Sequence, residues 1–388
     1  MSIIVIKLGS STLVAPDGSL RDEVLEARVR DLVRVRRQGH RPVLVSSGAV
    51  ACGVGRLGLP ARPSALADMQ AASAVGQGVL FQRYSELFSP HGVVPAQVLL
   101  TSPDLARRRS YLNARQTLTR LLDLGTVPIV NENDTTATDE LTFGDNDVLA
   151  AQVAIMLGAD RLLLLTERDG LYGAGADGRP VLLGDLPAGT RPQDITLAPM
   201  EGSALGRGGI ASKVAAAAMA TGGGVGCVIA SGSAEGVITG LASGRHIGTR
   251  FRPTGRREPA FKLWLRHARG ESGTIAVDAG AARALRARGT SLLAVGVVGC
   301  AGSFQPGDLV RVVEESRQET VGKGIVRLAI DELRAVAGMK SDAVRQVLPE
   351  APAQVIHRDE FVLVEVAQGG TPAPGAPVAS SGGERGDE

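Results

Sequence analysis

The chain has 388 residues, 44% of them hydrophobic but only 3% aromatic, so it can bury a sizeable core of Ala, Val, Leu and Ile in two or three domains. A formal charge of +2 argues for neither a nucleic-acid nor a membrane partner. Cys52, Cys227 and Cys300 are far apart and form no CxxC or Cys/His cluster, which leaves neither a disulfide framework nor a zinc site supported and suits a reducing, cytoplasmic compartment. The opening Met-Ser-Ile-Ile-Val-Ile-Lys is too short for a signal peptide or a membrane span.

The first strand is expected over Ile3–Ile6 and runs into Lys7-Leu8-Gly9-Ser10-Ser11. A lysine at a strand's carboxyl end beside backbone N–H groups can hold phosphate oxygens. Taken alone it reads equally well as a lysine that reaches solvent. Residues Asp22–Gln38 place Leu25, Val29 and Leu32 on one helical face, with Gly39 to end the helix. The next strand, Val43–Val45, leads into Ser46-Ser47-Gly48-Ala49, where small residues let a helix start close to an anion. Gly53-Val54-Gly55-Arg56-Leu57-Gly58 matches GxGxxG, but too far after the strand for a dinucleotide fingerprint.

Helical patterns over 65–88 and 104–124 flank a strand at Val98–Leu100. The strand Val127–Val130 is followed by the most unusual segment, residues 131–147, with six carboxylates, three amides and no basic residue. Like charges at a strand's carboxyl end point to a site for an ammonium group, a metal ion or both, and the plainer reading is a solvated acidic loop. A helix over 147–157 and a strand at Leu162–Leu165 come next, then Thr166-Glu167-Arg168-Asp169-Gly170-Leu171-Tyr172, a strand-end turn that could border a nucleotide. Leu205-Gly206-Arg207-Gly208-Gly209-Ile210-Ala211-Ser212-Lys213 opens a helix over 211–221 and reads as flexible glycines, a helix N-terminus and a lysine in its first turn, a polyphosphate signature that is not a Walker A loop. The last strand of this part is Cys227–Ala230.

Continuous apolar strands alternating with helices imply a mostly parallel sheet sandwiched by helices, an α/β domain of about 250 residues. Residues 245–269 carry eight Arg or Lys and one acid and read as a linker or domain edge. Short strands follow at Thr274–Val277, Leu292–Val298, Leu309–Val313, Gly322–Arg327 and Phe361–Glu365, with a helix over Asp342–Leu348, as expected of a small β-rich domain. The Gly-, Pro- and Ser-rich tail cannot bury a core. The expected division is residues 1–258, a linker over 259–272, a second domain over 273–367 and a disordered tail over 368–388.

Two lysines in glycine settings, an anion-binding turn and an acidic amide-rich loop all fall at strand ends of one sheet. Phosphoryl transfer needs those parts. No histidine lies in them, and a carboxylate acceptor, already ionised at pH 7, needs no general base.

At this point the sequence resembles the glutamate 5-kinases of the amino-acid kinase superfamily, which carry out the first step of proline biosynthesis. The resemblance spans residues 3–366. It rests on Val-Ile-Lys-Leu-Gly-Ser at 5–10, Val-Ser-Ser-Gly-Ala at 45–49, Ala-Val-Gly-Gln at 74–77, Tyr-Leu-Asn-Ala-Arg at 111–115, Pro-Ile-Val-Asn-Glu-Asn-Asp at 128–134, Gly-Asp-Asn-Asp at 144–147 and Gly-Gly-Ile-Ala-Ser-Lys at 208–213. The β-rich part resembles a PUA domain, a small barrel. The resemblance implies that ATP phosphorylates the γ-carboxylate of L-glutamate, with Mg²⁺. Lys7 and Lys213 would hold the transferring phosphoryl group, and Asp147 would orient them or bind Mg²⁺ through water. Ser47, Asp134 and Asn146 would bind glutamate, with Gly48, Asn131 and Asp145 beside them. Thr166, Glu167 and the run Arg207, Gly208, Gly209, Ile210, Ala211, Ser212 and Lys213 would contact ATP. Glu167 and Arg207 depart from the family's usual Asp and Thr, both on the nucleotide side. The resemblance also brings in a homo-oligomer, proline as a candidate feedback inhibitor and RNA binding by the PUA-like part, none of which the residues themselves establish. The alternatives are an acetylglutamate-type kinase, against which an acidic loop argues because an N-acyl substrate lacks the ammonium, and an RNA-binding protein, against which the scarcity of aromatics argues.

Overall fold

The computed structural model describes residues 2–15, 17–101, 104–105, 108–136, 146–175, 179–190, 194–198, 206–255, 260–267 and 271–364. The chain divides into two compact units, Met1–Gly270 and Glu271–Glu388.

In the first unit the apolar runs become β1 (Ile3–Leu8), β2 (Arg41–Val45), β3 (Pro95–Leu100), β4 (Val127–Glu132) and β5 (Arg161–Thr166). Three short strands follow, β6 (Tyr172–Ala174), β7 (Pro180–Leu182) and β8 (Asp185–Leu186), and then β9 (Gly226–Ser231) and β10 (Thr249–Phe251). One eight-stranded sheet has the order β3-β4-β2-β1-β5-β9-β10-β8, and β6 pairs with β7 separately. Within the large sheet only β9 and β10 run antiparallel. The expected mostly parallel sheet is what forms.

Because side chains alternate along a strand, each central strand feeds two cores. In β1, Val5 joins one core with Val43, Val45, Val130, Leu162 and Leu164. Ile4, Ile6 and Leu8 join the other with Leu44, Ile129, Leu163 and Leu165. Helices Asn146–Leu157 and Gly206–Gly222 cover the first face, and Asp22–Arg37 and Leu66–Phe88 contribute to the second. This two-sided burial is why these strands read as continuous apolar runs rather than alternating ones.

Several elements differ from the sequence expectation. The helix expected over 211–221 runs Gly206–Gly222, so Gly206, Gly208 and Gly209 are helical rather than a flexible loop, and Lys213 lies about two turns in. The GxGxxG stretch lies in helix Ala49–Leu57 and its αL C-cap, Gly58. Its role is packing: a Cβ on Gly53 would stand 1.7 Å from the Ala72 carbonyl oxygen of helix Leu66–Phe88, and one on Gly76 would stand 1.8 Å from that of Ala49. Residues expected as a linker instead supply helix Ala260–His267, with Leu263 and Leu265 buried, and β10 buries Phe251.

The second unit contains β11 (Gly273–Val277), β12 (Val297–Gly302), β13 (Leu309–Glu314), β14 (Glu319–Val326) and β15 (Ile356–Leu363) in a sheet of order β12-β11-β13-β14-β15. Its own core gathers Ile275, Val310, Val312, Val321, Leu333 and Ile356. The strand expected over Leu292–Val298 begins late. Leu292 makes one isolated bridge to Ile356, Ala294–Gly296 is a 3₁₀ turn, and the strand runs on through Cys300, Ala301 and Gly302, small residues with no apolar alternation to announce it. The last strand starts earlier than expected, at Ile356, and Glu365 and the tail lie outside the described residues.

Candidate active site

Lys7 shares the face of Val5, two residues before it on β1, and so points towards helix Asn146–Leu157. That helix opens with Asn146 and Asp147, both buried. Lys7 Nζ stands 2.8 Å from Asp147 Oδ1, and Lys213 Nζ stands 3.0 Å from Asp147 Oδ2. Ser212 Oγ donates to the same Oδ2 at 3.4 Å. The two lysines, 206 residues apart in sequence, therefore share one carboxylate. Burial by itself would push the Asp147 carboxyl up, but the two ammonium charges outweigh it and hold the group below its usual value.

The second half of the site is built around Asn146. Its Nδ2 lies 3.1 Å from the Ser46 carbonyl oxygen, 3.0 Å from Ser47 Oγ and 3.0 Å from Asn131 Oδ1. It thereby ties the ends of β2 and β4 to the start of the helix. Ser46 N–H continues the sheet pairing by donating to the Val130 carbonyl at 2.9 Å. Gly48 then turns the chain into helix Ala49–Leu57 with φ +105°, and a Cβ there would meet Val14 Cγ2 at 2.9 Å. Glycine is required at this position both by backbone conformation and by space.

Helix Leu66–Phe88 supplies three residues that sequence reasoning did not assign to the site. Ser73 donates to Asp134 Oδ2, Gln77 Oε1 accepts from Asn131 Nδ2 at 2.6 Å, and Tyr84 OH lies 3.0 Å from Ser46 Oγ. The positions are i, i+4 and i+11 on one helical face. Ser73 and Tyr84 are buried among Ala72, Gly76 and Leu80, so the stripe reads from sequence as core with a few polar interruptions.

These residues surround a cavity of about 350 Å³, at the small end of the range for ligand sites. Lys7, Ser47, Gly48, Asn131, Asp134 and Asn146 line it, and so do Asp17 and Arg62. Of the lysine–carboxylate triad only Lys7 reaches the cavity wall. Asp134 is 8% exposed, and burial raises its carboxyl above the usual value against the opposing effects of the Ser73 hydrogen bond and the Arg62 charge. A buried carboxylate that is poorly compensated is a receptor for a cation.

The remaining expected residues fall elsewhere. Thr166 ends β5, next to β1 and β9, and its carbonyl accepts from Gly232 N–H at 2.6 Å. Glu167 follows it, exposed, and neither residue lines the cavity. Gly209, Ile210, Ala211 and Ser212 occupy the helical turns before Lys213, and Arg207 and Gly208 lie in the first turn. Asp145 and most of the acidic run lie outside the described residues. Among the described residues no group of three His, Cys, Asp or Glu side chains could hold a metal ion. Both oxygens of Asp147 face lysines, so this donor set fits an orienting carboxylate rather than a metal ligand. No described helix is long and apolar enough to cross a membrane.

The profile described as "Amino acid kinase family" matches residues 2–231, and the PUA domain profile matches residues 273–348. Glutamate 5-kinase of Halalkalibacterium halodurans is 43% identical over 364 residues, covering 93% of this chain and 97% of that protein. Glutamate 5-kinase of Synechocystis sp. is 44% identical over 368 residues, again with 93% and 97% coverage. That of Chromohalobacter salexigens is 44% identical over 365 residues, with 93% and 96% coverage. The lysine–carboxylate triad and the amide-lined cavity therefore sit in a chain that belongs to the amino acid kinase family and, within it, to the glutamate 5-kinases.

Proposed function

We propose that the chain transfers the γ-phosphoryl group of ATP to the γ-carboxylate of L-glutamate, giving L-glutamyl 5-phosphate and ADP, the first step from glutamate to proline. The observation that carries this reading is one buried carboxylate, Asp147, held between Lys7 at 2.8 Å and Lys213 at 3.0 Å beside a cavity lined by another buried, poorly compensated carboxylate, Asp134.

The reaction follows from charge. The acceptor carboxylate is ionised at neutral pH, so no base has to remove a proton from it. One of its oxygens forms a bond to the γ-phosphorus as the bond to the β,γ-bridging oxygen breaks, and ADP leaves with that electron pair. The obstacle is the approach of an anion to a triphosphate. Two ammonium groups held at fixed positions reduce that repulsion without reorganising during the reaction. In this reading Asp147 positions them, Lys7 bridges the cavity and the phosphoryl group, and Lys213 meets the phosphates from the helix. Asp134 pairs with the α-ammonium of glutamate, and Ser47, Asn131 and Asn146 give hydrogen bonds. Thr166, Glu167 and residues 207–213 form the nucleotide side. Magnesium enters as the MgATP substrate, since it is bound mainly through phosphate oxygens and water.

An N-acylated glutamate has no cation for Asp134, which disfavours an acetylglutamate-type activity. The three free cysteines suit a cytoplasmic enzyme. Proline as an inhibitor, self-association and RNA binding by the PUA domain rest on the family resemblance. The decisive assay is ADP release with MgATP and, in turn, L-glutamate, N-acetylglutamate, aspartate, and bicarbonate with ammonia. Turnover with L-glutamate alone is expected. Preference for N-acetylglutamate would overturn the assignment of Asp134 and of the substrate.

A further inference from the structure

L-Glutamate carries three charged groups, and the residues described so far account for two of them. In that reading the γ-carboxylate faces the Lys7 end of the cavity, and the α-ammonium faces Asp134. The α-carboxylate is attached to the same carbon as the ammonium, so whatever reads it must stand on a wall close to Asp134. Besides Lys7, the cavity has one other cationic wall residue, Arg62. Its charge is felt at Asp134, where it opposes the upward push of burial on that carboxyl.

We infer that Arg62 binds the α-carboxylate of the substrate and sets the enzyme's preference for an α-amino acid over the corresponding amine or amide; the inference rests on the glutamate kinase reading above. Asp134 and Arg62 then form a matched pair of opposite charges for the two groups on the α-carbon. Among the described residues the one carboxylate on which the Arg62 charge is seen to act is Asp134, the residue beside which the α-carboxylate would lie. The other cations of the site are committed, since Lys7 and Lys213 both face Asp147. A planar guanidinium can take a carboxylate through two parallel hydrogen bonds.

The backbone around Arg62 is suited to holding it there. Arg62 lies between Pro60 and Pro63 in the connection from helix Ala49–Leu57 to helix Leu66–Phe88. Each proline fixes its own φ and restricts the residue before it. The two helices that anchor the connection pack closely at Gly53 and Gly76. Leu59, Pro60 and Ala61 line the same cavity, so the whole segment forms one wall of it. Arg62 is itself exposed, at the outer side of the site. That position suits a group that meets the substrate as it enters and is solvated when the site is empty.

The test uses the full chain with Arg62→Gln and Arg62→Lys variants, steady-state ADP release with MgATP, and the α-amide of L-glutamate as a competitor. The α-amide keeps the ammonium and the γ-carboxylate but loses the α-carboxylate charge. In Arg62→Gln the KM for L-glutamate should rise about tenfold, the scale for one charge-assisted contact at a partly solvated position. The KM for ATP and kcat at saturating glutamate should stay within about twofold. Arg62→Lys should recover part of the loss, and the inhibition constant of the α-amide should be alike in all three proteins. A glutamate KM within about twofold of wild type in Arg62→Gln would overturn the inference. So would a loss of affinity for the α-amide equal to that for glutamate, because Arg62 would then be supporting the wall and not reading the carboxylate. Absence of glutamate-dependent turnover in the wild type would instead remove the kinase reading, and this inference with it.

Discussion

Replacing Asp147 with Asn removes one negative charge from between two ammonium groups and keeps the side-chain shape. At 2.8 and 3.0 Å each ion contact is worth roughly 6 kcal/mol of attraction at an effective dielectric of 20. Lysine–lysine repulsion and the cost of burying three charges offset most of this. What the variant loses is the compensation of two lysines already buried, and removing one partner of such a set costs about 3–5 kcal/mol. For a unit of some 270 residues, an unfolding entropy of about 2.1 cal/mol/K per residue turns that into a Tm lower by about 5–9 °C. The folded pKa of Asp147 is depressed, so its stabilisation is fully present above the unfolded value of 3.8 and is lost only as pH falls through the lower folded value. The Tm difference should therefore be constant through neutral pH and shrink only in strong acid. Catalytically, kcat should fall by about 10²–10³, the scale for misplacing one transition-state charge stabiliser. The KM for ATP should not rise, because the phosphates no longer compete with a carboxylate for the lysines. The assay is coupled ADP release at a temperature well below both melting points, with Lys213→Ala and the double variant measured alongside. A folded Asp147→Asn protein with kcat within threefold of wild type would refute the reasoning. So would losses in log kcat that simply add in the double variant, since once Lys213 is gone only the part of the Asp147 effect that acts through Lys7 is left to lose.

Asp134→Asn should raise the glutamate KM by about tenfold with little change for ATP; because the folded pKa of Asp134 is raised, the neutral form favours folding, an advantage present below 3.8 and lost as pH rises through the folded value, so this variant should melt higher than wild type at neutral pH. In the wild type the glutamate KM should climb as the pH falls through the Asp134 pKa, and a KM–pH profile unchanged by Asp134→Asn would assign the effect elsewhere. Gly53→Val should lower Tm steeply or abolish soluble expression, because even its Cβ would overlap the Ala72 carbonyl, and a thermal melt within 2 °C of wild type would contradict the described helix contact. A chain ending at Gly270 should retain glutamate-dependent ADP release, since every candidate site residue precedes that point; a soluble, folded but inactive truncation would show that the second unit completes the site.

The parts of the fold that were legible are those where one physical signal dominates. Residues 4–6, 127–130 and 162–165 are buried on both faces, so their apolar runs admit few other readings, and helix Asp22–Arg37 shows its buried stripe at Leu25, Val29 and Leu32. The missed elements carry weak or conflicting signals. β8 and β10 are two and three residues long, and β10 sits in a basic stretch that composition marks as a boundary. Glycines at 206, 208 and 209 oppose helix by intrinsic propensity, at about 1 kcal/mol each relative to Ala. The helix forms through them because the Ala-rich segment that follows packs closely on helix Asn146–Leu157, with Ala216, Ala217 and Ala220 wholly buried. Tertiary packing overrode propensity there, and it moved Lys213 from a first turn to a position about two turns in.

The acidic run shows where sequence reasoning about a site stops. Six carboxylates in seventeen residues imply cations to meet them, but not which cations. The described residues divide the work. Asp147 is met by the protein's own Lys7 and Lys213, brought from the end of β1 and from a helix more than two hundred residues later in the chain. Asp134 faces a cavity, and among the described residues the Ser73 hydroxyl and the Arg62 charge moderate it. The same residue type, thirteen positions apart in one motif, thus has its pKa pushed in opposite directions by its surroundings. The partners that decide this are individually unremarkable in sequence. Ser73 and Gln77 look like polar breaks in a helix face, and Arg62 looks like a surface arginine between prolines. The close crossing at Gly53 and Gly76 holds helix Leu66–Phe88 against helix Ala49–Leu57, the two ends of the Arg62 connection, while Ser73 and Gln77 reach Asp134 and Asn131. A glycine pattern that resembles a nucleotide motif but serves helix packing therefore helps to position the charges around the cavity.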